Sequence, residues 1–233
     1  MFNINGIHFK IADTDKLKEE IYQLRYKVYV TEFKFEKPSD HPHGLEQDMY
    51  DRHSVHLAGI CRKTNKVIAT LRLVKNSGIG LPINNIKEFT FRWADSDIKN
   101  IIEISRLAID KAYRRAEPDL FFEKYVGKQR TKPVALFGLY RLLYQESKRL
   151  GVTHWTMISE SHLHEALTSM GYLFYPIGHK INYHGLRVPY LASVREMEAF
   201  WLEQKQGTFK FLAKGLKRRY WPDMPGFTKM MLT

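Results

Sequence analysis

The stretch from residue 100 to residue 159 limits the fold more than any other. "NIIEISRLAID", 100–110, is a β-branched apolar run of the kind buried in a sheet. "PVALFGLYRLLYQESKRL", 133–150, has helical periodicity, with Pro133 in its first turn, Lys148 and Arg149 in its last and Gly151 just beyond. "VTHWTMIS", 152–159, is a second apolar run. Strand, long helix and strand in that order make a crossover, and a crossover implies a sheet with a parallel pair in it.

The flanking segments read differently. Residues 13–30 form an amphipathic helix, with Leu17, Ile21, Leu24 and Val28 at helical spacing and Asp13, Thr14 and Asp15 as candidate caps. Arg25 and Tyr29 share a neighbouring stripe of it. Residues 36–52 hold Pro38, Pro42 and Gly44 and predict a loop. "SVHLAGICR" and "KVIATLRLV", joined by "KTN", predict a hairpin. "LPINNIKEF" predicts a loop with a short helix, and "KAYRRAEPDLFFEKYVGKQRTK" a basic, irregular insertion. After the crossover come a short helix ("SHLHEALTSMG"), a strand pair with turns at Gly178 or Gly185, a last helix ("REMEAFWLEQKQ") and a basic tail ("KGLKRRYW"). The order is helix, hairpin, strand, long helix, strand, helix, two strands, helix. It predicts an α/β (α+β) fold with a mixed, mostly antiparallel central sheet flanked by helices. The expected division is a domain over 1–206 and a basic C-terminal extension over 207–233. The order resembles that of the Gcn5-related N-acetyltransferase (GNAT) fold.

At 233 residues, with 44% apolar and 13% aromatic side chains, the chain has ample material for a core. No apolar run approaches the ~20 residues of a membrane span, and the N-terminal stretch has no signal-peptide pattern. The single cysteine, Cys61, makes no internal disulfide and reads as a buried core thiol. Together these predict a cytoplasmic protein. The formal net charge of +12 favours anionic partners, whether nucleic acid, anionic lipid or an acidic protein. A basic nucleic-acid-binding protein using "KRRYW" and "YRR" is therefore an alternative reading. It leaves unexplained the ions inside apolar runs, so no nucleic acid is expected, while peripheral membrane contact stays open. His41, His43, His53 and His56 lack the spacing of a metal site, and no metal is expected. Neither a Walker loop nor G-x-S-x-G occurs.

The ions are the informative residues. Arg25 lies on a packing helix, Arg72 within "ATLRLV", and Glu103 and Arg106 within "EISRLAID". An unpaired buried charge costs several kcal/mol, so these residues need partners. "GLEQDMYD" offers Glu46, Asp48 and Asp51 in a chain that is otherwise basic. One ion network around a cleft, suited to an amine, accounts for the set. Glu103 and Ser105 alternate to one face of their strand and Arg106 to the other, unless a bulge re-aims them. Glu103 beside Ser105 is placed to deprotonate an amine or to orient a water that does so.

These blocks resemble the motif set of the acyl-homoserine-lactone (autoinducer) synthases: Arg25, Tyr29, Phe35, then Glu46, Asp48 and Asp51, then Arg72, then Glu103-Ile-Ser105-Arg106. Tyr29 and Phe35 stand where that family has phenylalanine and tryptophan. Longer stretches ("YKVYVTEFKFE", "GLEQDMYDRHSVHL", "GLPI", "EISRLAID", "YHGLRVP") resemble the acyltransferases associated with exosortase/PEP-CTERM systems, relatives of those synthases and of the N-acyl amino acid synthases. The resemblance implies transfer of a long-chain acyl group from a thioester on acyl carrier protein to the amine of an amino acid or S-adenosylmethionine. It implies no bound cofactor. In that scheme Glu103 is the catalytic base, with Glu46 as rival, and Ser105 contacts the polar part of the acyl chain. Arg25, Tyr29, Phe35, Asp48, Asp51, Arg72 and Arg106 shape the acceptor site. Backbone N–H groups near Ser105 to Leu107 hold the oxyanion.

The residues before the long helix bear on the donor as well. Coenzyme A users of this fold carry a Q/R-x-x-G-x-G/A loop before the long helix. "YVGKQRTKPVALFG" does not fit it, yet Lys128, Arg130 and Lys132 put positive charge at a helix N-terminus, where a phosphopantetheine phosphate would bind. That favours acyl carrier protein, an acidic partner for a basic chain. Acyl-CoA is the alternative donor.

Overall fold

The computed structural model describes residues 1–91, 100–114 and 134–232. The basic insertion falls mostly outside them, and Lys128, Arg130 and Lys132 lie wholly outside. The described residues form two compact units. The first comprises 1–75, 104–114 and 134–143, and the second 76–91, 100–103 and 144–232.

The first unit opens with a hairpin that the element order above lacks: β1 (Phe2–Ile4) and β2 (Ile7–Ile11), joined at Asn5 and Gly6 with φ of 44° and 74°. Both turn residues are left-handed, as a two-residue hairpin turn requires. Next comes α1 (Asp15–Arg25), whose Thr14 caps it by accepting the N–H of Leu17 at 3.3 Å. Its Leu17, Ile21 and Leu24, with Val28 beyond, pack against Ala58, Val67 and Ala108. The helix does not stop at Arg25 but widens into π turns over Tyr26–Glu32, where the N–H of Phe33 reaches back to the carbonyl of Val28. Such widening commonly marks a functional segment. Then follow 3₁₀ turns at Pro38–Asp40 and Met49–His53, the expected hairpin β3 (Ser54–Cys61) and β4 (Lys66–Lys75), and residues 104–109 of β5 (Ile101–Ile109). Strand order here is β1-β2-β3-β4-β5. Cys61 is buried, in hydrogen-bond contact with Thr64 and Tyr113. The long helix α2 (Val134–Leu150) contributes its first half, and Gly138 lets it approach β2 closely. A Cβ there would sit 2.1 Å from the Phe9 ring.

In the second unit, residues 101–103 of β5 pair in parallel with β6 (His154–Ser159), the crossover expected from sequence. β6 pairs antiparallel with β9 (Leu186–Ser193), which also carries β7 (Tyr175–Pro176) and β8 (Ile181–Asn182). Of the strand pairs with a described register, β5–β6 is parallel and the others antiparallel, so the sheet is mixed and mostly antiparallel. Helices α3 (Ser161–Ser169), α4 (Val194–Gln204), α5 (Gln206–Ala213) and α6 (Phe227–Leu232) complete this unit. Residues after 206 do more than carry charge. Phe209 and Phe227 are fully buried and join Trp201 and Tyr144 in an aromatic cluster. No helix among the described residues is long and apolar enough to cross a membrane.

Candidate acyl-transfer site

Of the ions that the sequence set inside apolar runs, Arg25, Arg72 and Arg106 meet in the first unit, and Glu103 does not join them. Arg25, the last residue of α1, is completely buried. Its Nε donates to Glu46, and its Nη1 and Nη2 donate to the two carboxylate oxygens of Asp51 at 2.7 and 3.2 Å. Arg72, on β4 and 1% exposed, donates from Nη1 to Asp48 Oδ1 at 2.6 Å and Asp51 Oδ1 at 2.8 Å, and from Nε to Ser105 Oγ at 3.0 Å. Arg106, on β5, donates from Nε to Glu46 Oε1 at 3.0 Å, while its Nη2 lies 3.3 Å from Asp48 Oδ2 and 3.4 Å from Glu36 Oε1. Arginine, Ser105 and carboxylates from four sequence segments thus share one hydrogen-bonded cluster.

Local structure dictates the carboxylate spacing. Asp48 caps the 3₁₀ turn Met49–His53 by accepting the N–H of Tyr50 at 2.9 Å, and Asp51 reaches back to the N–H of Asp48 at 2.8 Å. This reciprocal capping sets the two aspartates three apart. Glu46 is anchored by its own N–H, which donates to the carbonyl of Tyr22 on α1 at 3.2 Å.

Burial grades across the cluster. Arg25, Glu46 and Arg72 are dry, whereas Arg106, Asp48 and Glu36 keep 17, 25 and 25% of their side-chain surface. Three guanidiniums against four carboxylates leave one negative charge in excess, and it lies at the open rim. Burial alone would raise the Glu46 carboxyl, but Arg25 and Arg106 outweigh it and hold the group below the usual range. Asp51 is likewise held far down by Arg25 and Arg72 against its burial. Burial would lower Arg25, yet Glu46 and Asp51 hold it above its ordinary value. His56, directly across from Arg72 in the β3–β4 register, is 2% exposed. Burial, reinforced by Arg25 and Arg72, brings it down to about 4 despite Asp51 at 3.7 Å, so it is neutral at pH 7.

Strand β5 is distorted where it meets this cluster. Arg106 has φ of 51°, a left-handed conformation uncommon for a residue with a side chain. The plain strand alternation expected for Ser105 and Arg106 is broken here by one residue's backbone. Tyr29, in the π turns, donates its hydroxyl to the carbonyl of Leu107 at 2.7 Å, and its ring lies 5.6 Å below the Arg106 guanidinium. Phe35 packs at 6.3 Å from Tyr29 and stacks on Phe33 at 5.2 Å. Glu103 belongs to the second unit, where it is 4% exposed and Oε2 accepts the N–H of Ile83 at 2.7 Å.

The structure therefore brings together Arg25, Tyr29, Phe35, Glu46, Asp48, Asp51, Arg72, Ser105 and Arg106. Two members were not singled out beforehand. Glu36 carries no sequence signal, whereas His56 could have been found by setting the β3–β4 hairpin in register opposite Arg72. Among the described residues, no group of three or more His, Cys, Asp or Glu is placed to hold a metal ion.

The acetyltransferase (GNAT) domain model matches residues 24–124, a span that includes every arginine and carboxylate of the cluster. Several solved structures share the fold. BjaI, a CoA-dependent acyl-homoserine lactone synthase solved with SAM and isopentyl-CoA, is 15% identical. It aligns over 97% of this chain and 99% of its own, with a TM-score of 0.62. The acyl-homoserine lactone synthase LasI is 15% identical over 81% of this chain and 90% of its own, at 0.58. FeeM, an N-acyl amino acid synthase from uncultured soil microbes, is 11% identical over 83% and 93%, at 0.57. No curated protein matches the sequence significantly. Residues 24–124 thus match an acetyltransferase (GNAT) domain, and the fold is one that these synthases share.

Proposed function

We propose that the protein is an N-acyltransferase that moves a long-chain acyl group from an acyl carrier protein thioester to the amine of a small acceptor, an amino acid or S-adenosylmethionine. One observation carries this reading: the arginine–carboxylate cluster has a dry, charge-balanced floor and an open rim with excess negative charge. An acceptor's ammonium group is drawn to Asp48 and Glu36, while Arg106 takes up its carboxylate or other acceptor oxygens and Arg72, buried below, holds Asp48 and Ser105 in place.

The chemistry requires a free amine. The motif resemblance gives Glu103 the role of the base that takes one proton from the ammonium. Glu46 is the poorer base, being gripped by two arginines that keep it ionised. The amine lone pair attacks the thioester carbonyl carbon, and the carbonyl electrons move onto oxygen. Backbone N–H groups around Ser105 to Leu107 bind that oxyanion. Its collapse breaks the C–S bond. The thiolate leaves, taking the second amine proton, and the amide remains.

Lys128, Arg130 and Lys132 are the proposed contacts for the phosphopantetheine phosphate, and the net charge of +12 suits an acidic carrier. FeeM, an N-acyl amino acid synthase, and BjaI, solved with SAM, mark the two acceptor alternatives, and the CoA dependence of BjaI marks the alternative donor. The motif resemblance favours the branch associated with exosortase/PEP-CTERM systems, and the lone cysteine suits a reducing, cytoplasmic location.

Mass spectrometry of lipid extracts from cells overproducing the protein tests the reading. New N-acylated amino acids support it, lactones move the acceptor to S-adenosylmethionine, and no new acylated amine refutes it. E103Q should lower turnover by about 10²–10⁴-fold while retaining acyl-donor affinity. Undiminished turnover in that variant removes Glu103 from the mechanism.

A further inference from the structure

We propose that Tyr29 is a positioning residue, holding β5 in the left-handed turn at Arg106 that brings both Ser105, through Arg72, and Arg106 into the one arginine–carboxylate cluster. In an undistorted strand these neighbours would point to opposite faces. Here Ser105 Oγ is tied to Arg72, which is bound to Asp48 Oδ1 at 2.6 Å, and Arg106 lies 3.3 Å from Asp48 Oδ2. The φ of 51° at Arg106 makes that convergence possible, and a conformation of this kind persists only when its surroundings hold it.

Tyr29 supplies the hold on the strand itself. Its hydroxyl fastens the carbonyl of Leu107, the residue immediately after the turn, at 2.7 Å. Since the peptide is planar and trans, fixing this carbonyl also fixes the N–H of Ala108 in the opposite direction. The ring lies 5.6 Å below the Arg106 guanidinium, an attractive cation–π distance. Tyr29 is itself held at its backbone, where its carbonyl accepts the N–H of Phe35 at 2.8 Å and of Glu36 at 3.4 Å. Its ring packs against the core cluster that includes Val28 and Ala108. The π turns thereby act as a rigid bracket from the first helix to the distorted strand. Tyr29 acts on the chemistry through Leu107 and Arg106. The inference deepens the transferase reading, and its activity arm rests on that reading.

Y29F keeps the ring, the packing and the cation–π contact and removes the hydroxyl alone. Hydrogen exchange of the unliganded full chain, followed by mass spectrometry, should show peptides spanning 104–109 exchanging about tenfold faster, with β6 unchanged. With palmitoyl-CoA or palmitoyl carrier protein as donor, and the common amino acids and S-adenosylmethionine as acceptors, kcat should fall about fivefold to tenfold while donor KM stays within about twofold. Unchanged exchange at 104–109 overturns the proposal whatever the kinetics. So does faster exchange spread equally over β6, which means general destabilisation. A rise confined to acceptor KM, with kcat intact, makes the hydroxyl a substrate contact and also overturns it. A wild-type protein with no turnover refutes the transferase reading, and the exchange measurement then decides the role of Tyr29 by itself.

Discussion

Replacing Arg25 by methionine measures what the buried cluster contributes to the first unit. Methionine keeps a flexible stem of similar reach and removes the guanidinium. Lost with it are the hydrogen bonds to Glu46 and to both oxygens of Asp51. Glu46 keeps Arg106, and Asp51 keeps Arg72 and the N–H of Asp48, but two guanidiniums then face four carboxylates. Arg25 and Glu46 are fully buried, so solvent does not screen the deficit. Removing one partner of such a group costs about 3–5 kcal/mol, against a total stability of roughly 5–15 kcal/mol. The pH dependence follows from the direction of the carboxyl shifts. In the wild type Glu46 is held below its unfolded value of 4.5, so its contribution is complete above that pH and is lost as pH falls through the folded value. Without Arg25 the buried carboxyl moves upward. Once it lies above 4.5 the folded variant binds a proton before the unfolded chain does, and the variant gains stability as pH falls from 7 toward 5. The difference between the two proteins must narrow on acidification. Urea denaturation followed by far-ultraviolet circular dichroism at pH 7 and pH 5 checks this. Fluorescence is unsuitable, because Trp155, Trp201 and Trp221 all belong to the second unit. A loss below about 1 kcal/mol at neutral pH, or a difference that widens on acidification, would refute the reasoning.

Two further substitutions probe the same unit. Burial brings His56 down to about 4 from 6.5, so between those values the unfolded chain binds the extra proton and wild-type stability falls as pH drops. H56L should remove about 3 kcal/mol of that fall across the window, seen as a flatter stability–pH profile in urea titrations; an unchanged slope would show that His56 is not its source. G138A sets a methyl group 2.1 Å from the Phe9 ring. Overpacking of about 1–3 kcal/mol should exceed the ~1 kcal/mol gained in helix propensity, lowering the thermal midpoint, and F9L should restore it. A midpoint that rises in G138A would mean that α2 shifts freely on β2.

The crossover β5–α2–β6 was readable because a long amphipathic helix with proline before it and glycine after it has few other uses. The N-terminal hairpin was readable too, since Asn5-Gly6 stands between alternating apolar residues, a strong short-range turn signal. An order that begins with the helix at 15 passes over it. The helices after 206 are harder, because segments of eight and six residues give weak periodicity and form mainly through tertiary burial, here of Phe209 and Phe227. The π turns at Tyr26–Glu32 leave no pattern of their own. Leu17, Ile21, Leu24 and Val28 keep ordinary helical spacing while the backbone beyond Arg25 changes its hydrogen bonds.

The cluster was legible for one reason: ions within apolar runs must find partners, and the chain places its nearest supply of buried carboxylates in a single turn. The need for partners pairs types of residue, not atoms. It requires Arg25 and Arg72 to meet acids, and the capping geometry of Asp48 and Asp51 decides which. Strand alternation misleads at the last step, because it sends Ser105 and Arg106 apart. A left-handed arginine invisible to any periodicity brings both into the cluster, Arg106 at Asp48 and Ser105 at Arg72. Strain at that residue and the tyrosine bracket beside it are features of one construction. The carboxylates draw Arg106 in, Tyr29 holds the next peptide, and the backbone between them adopts a conformation neither segment would take alone.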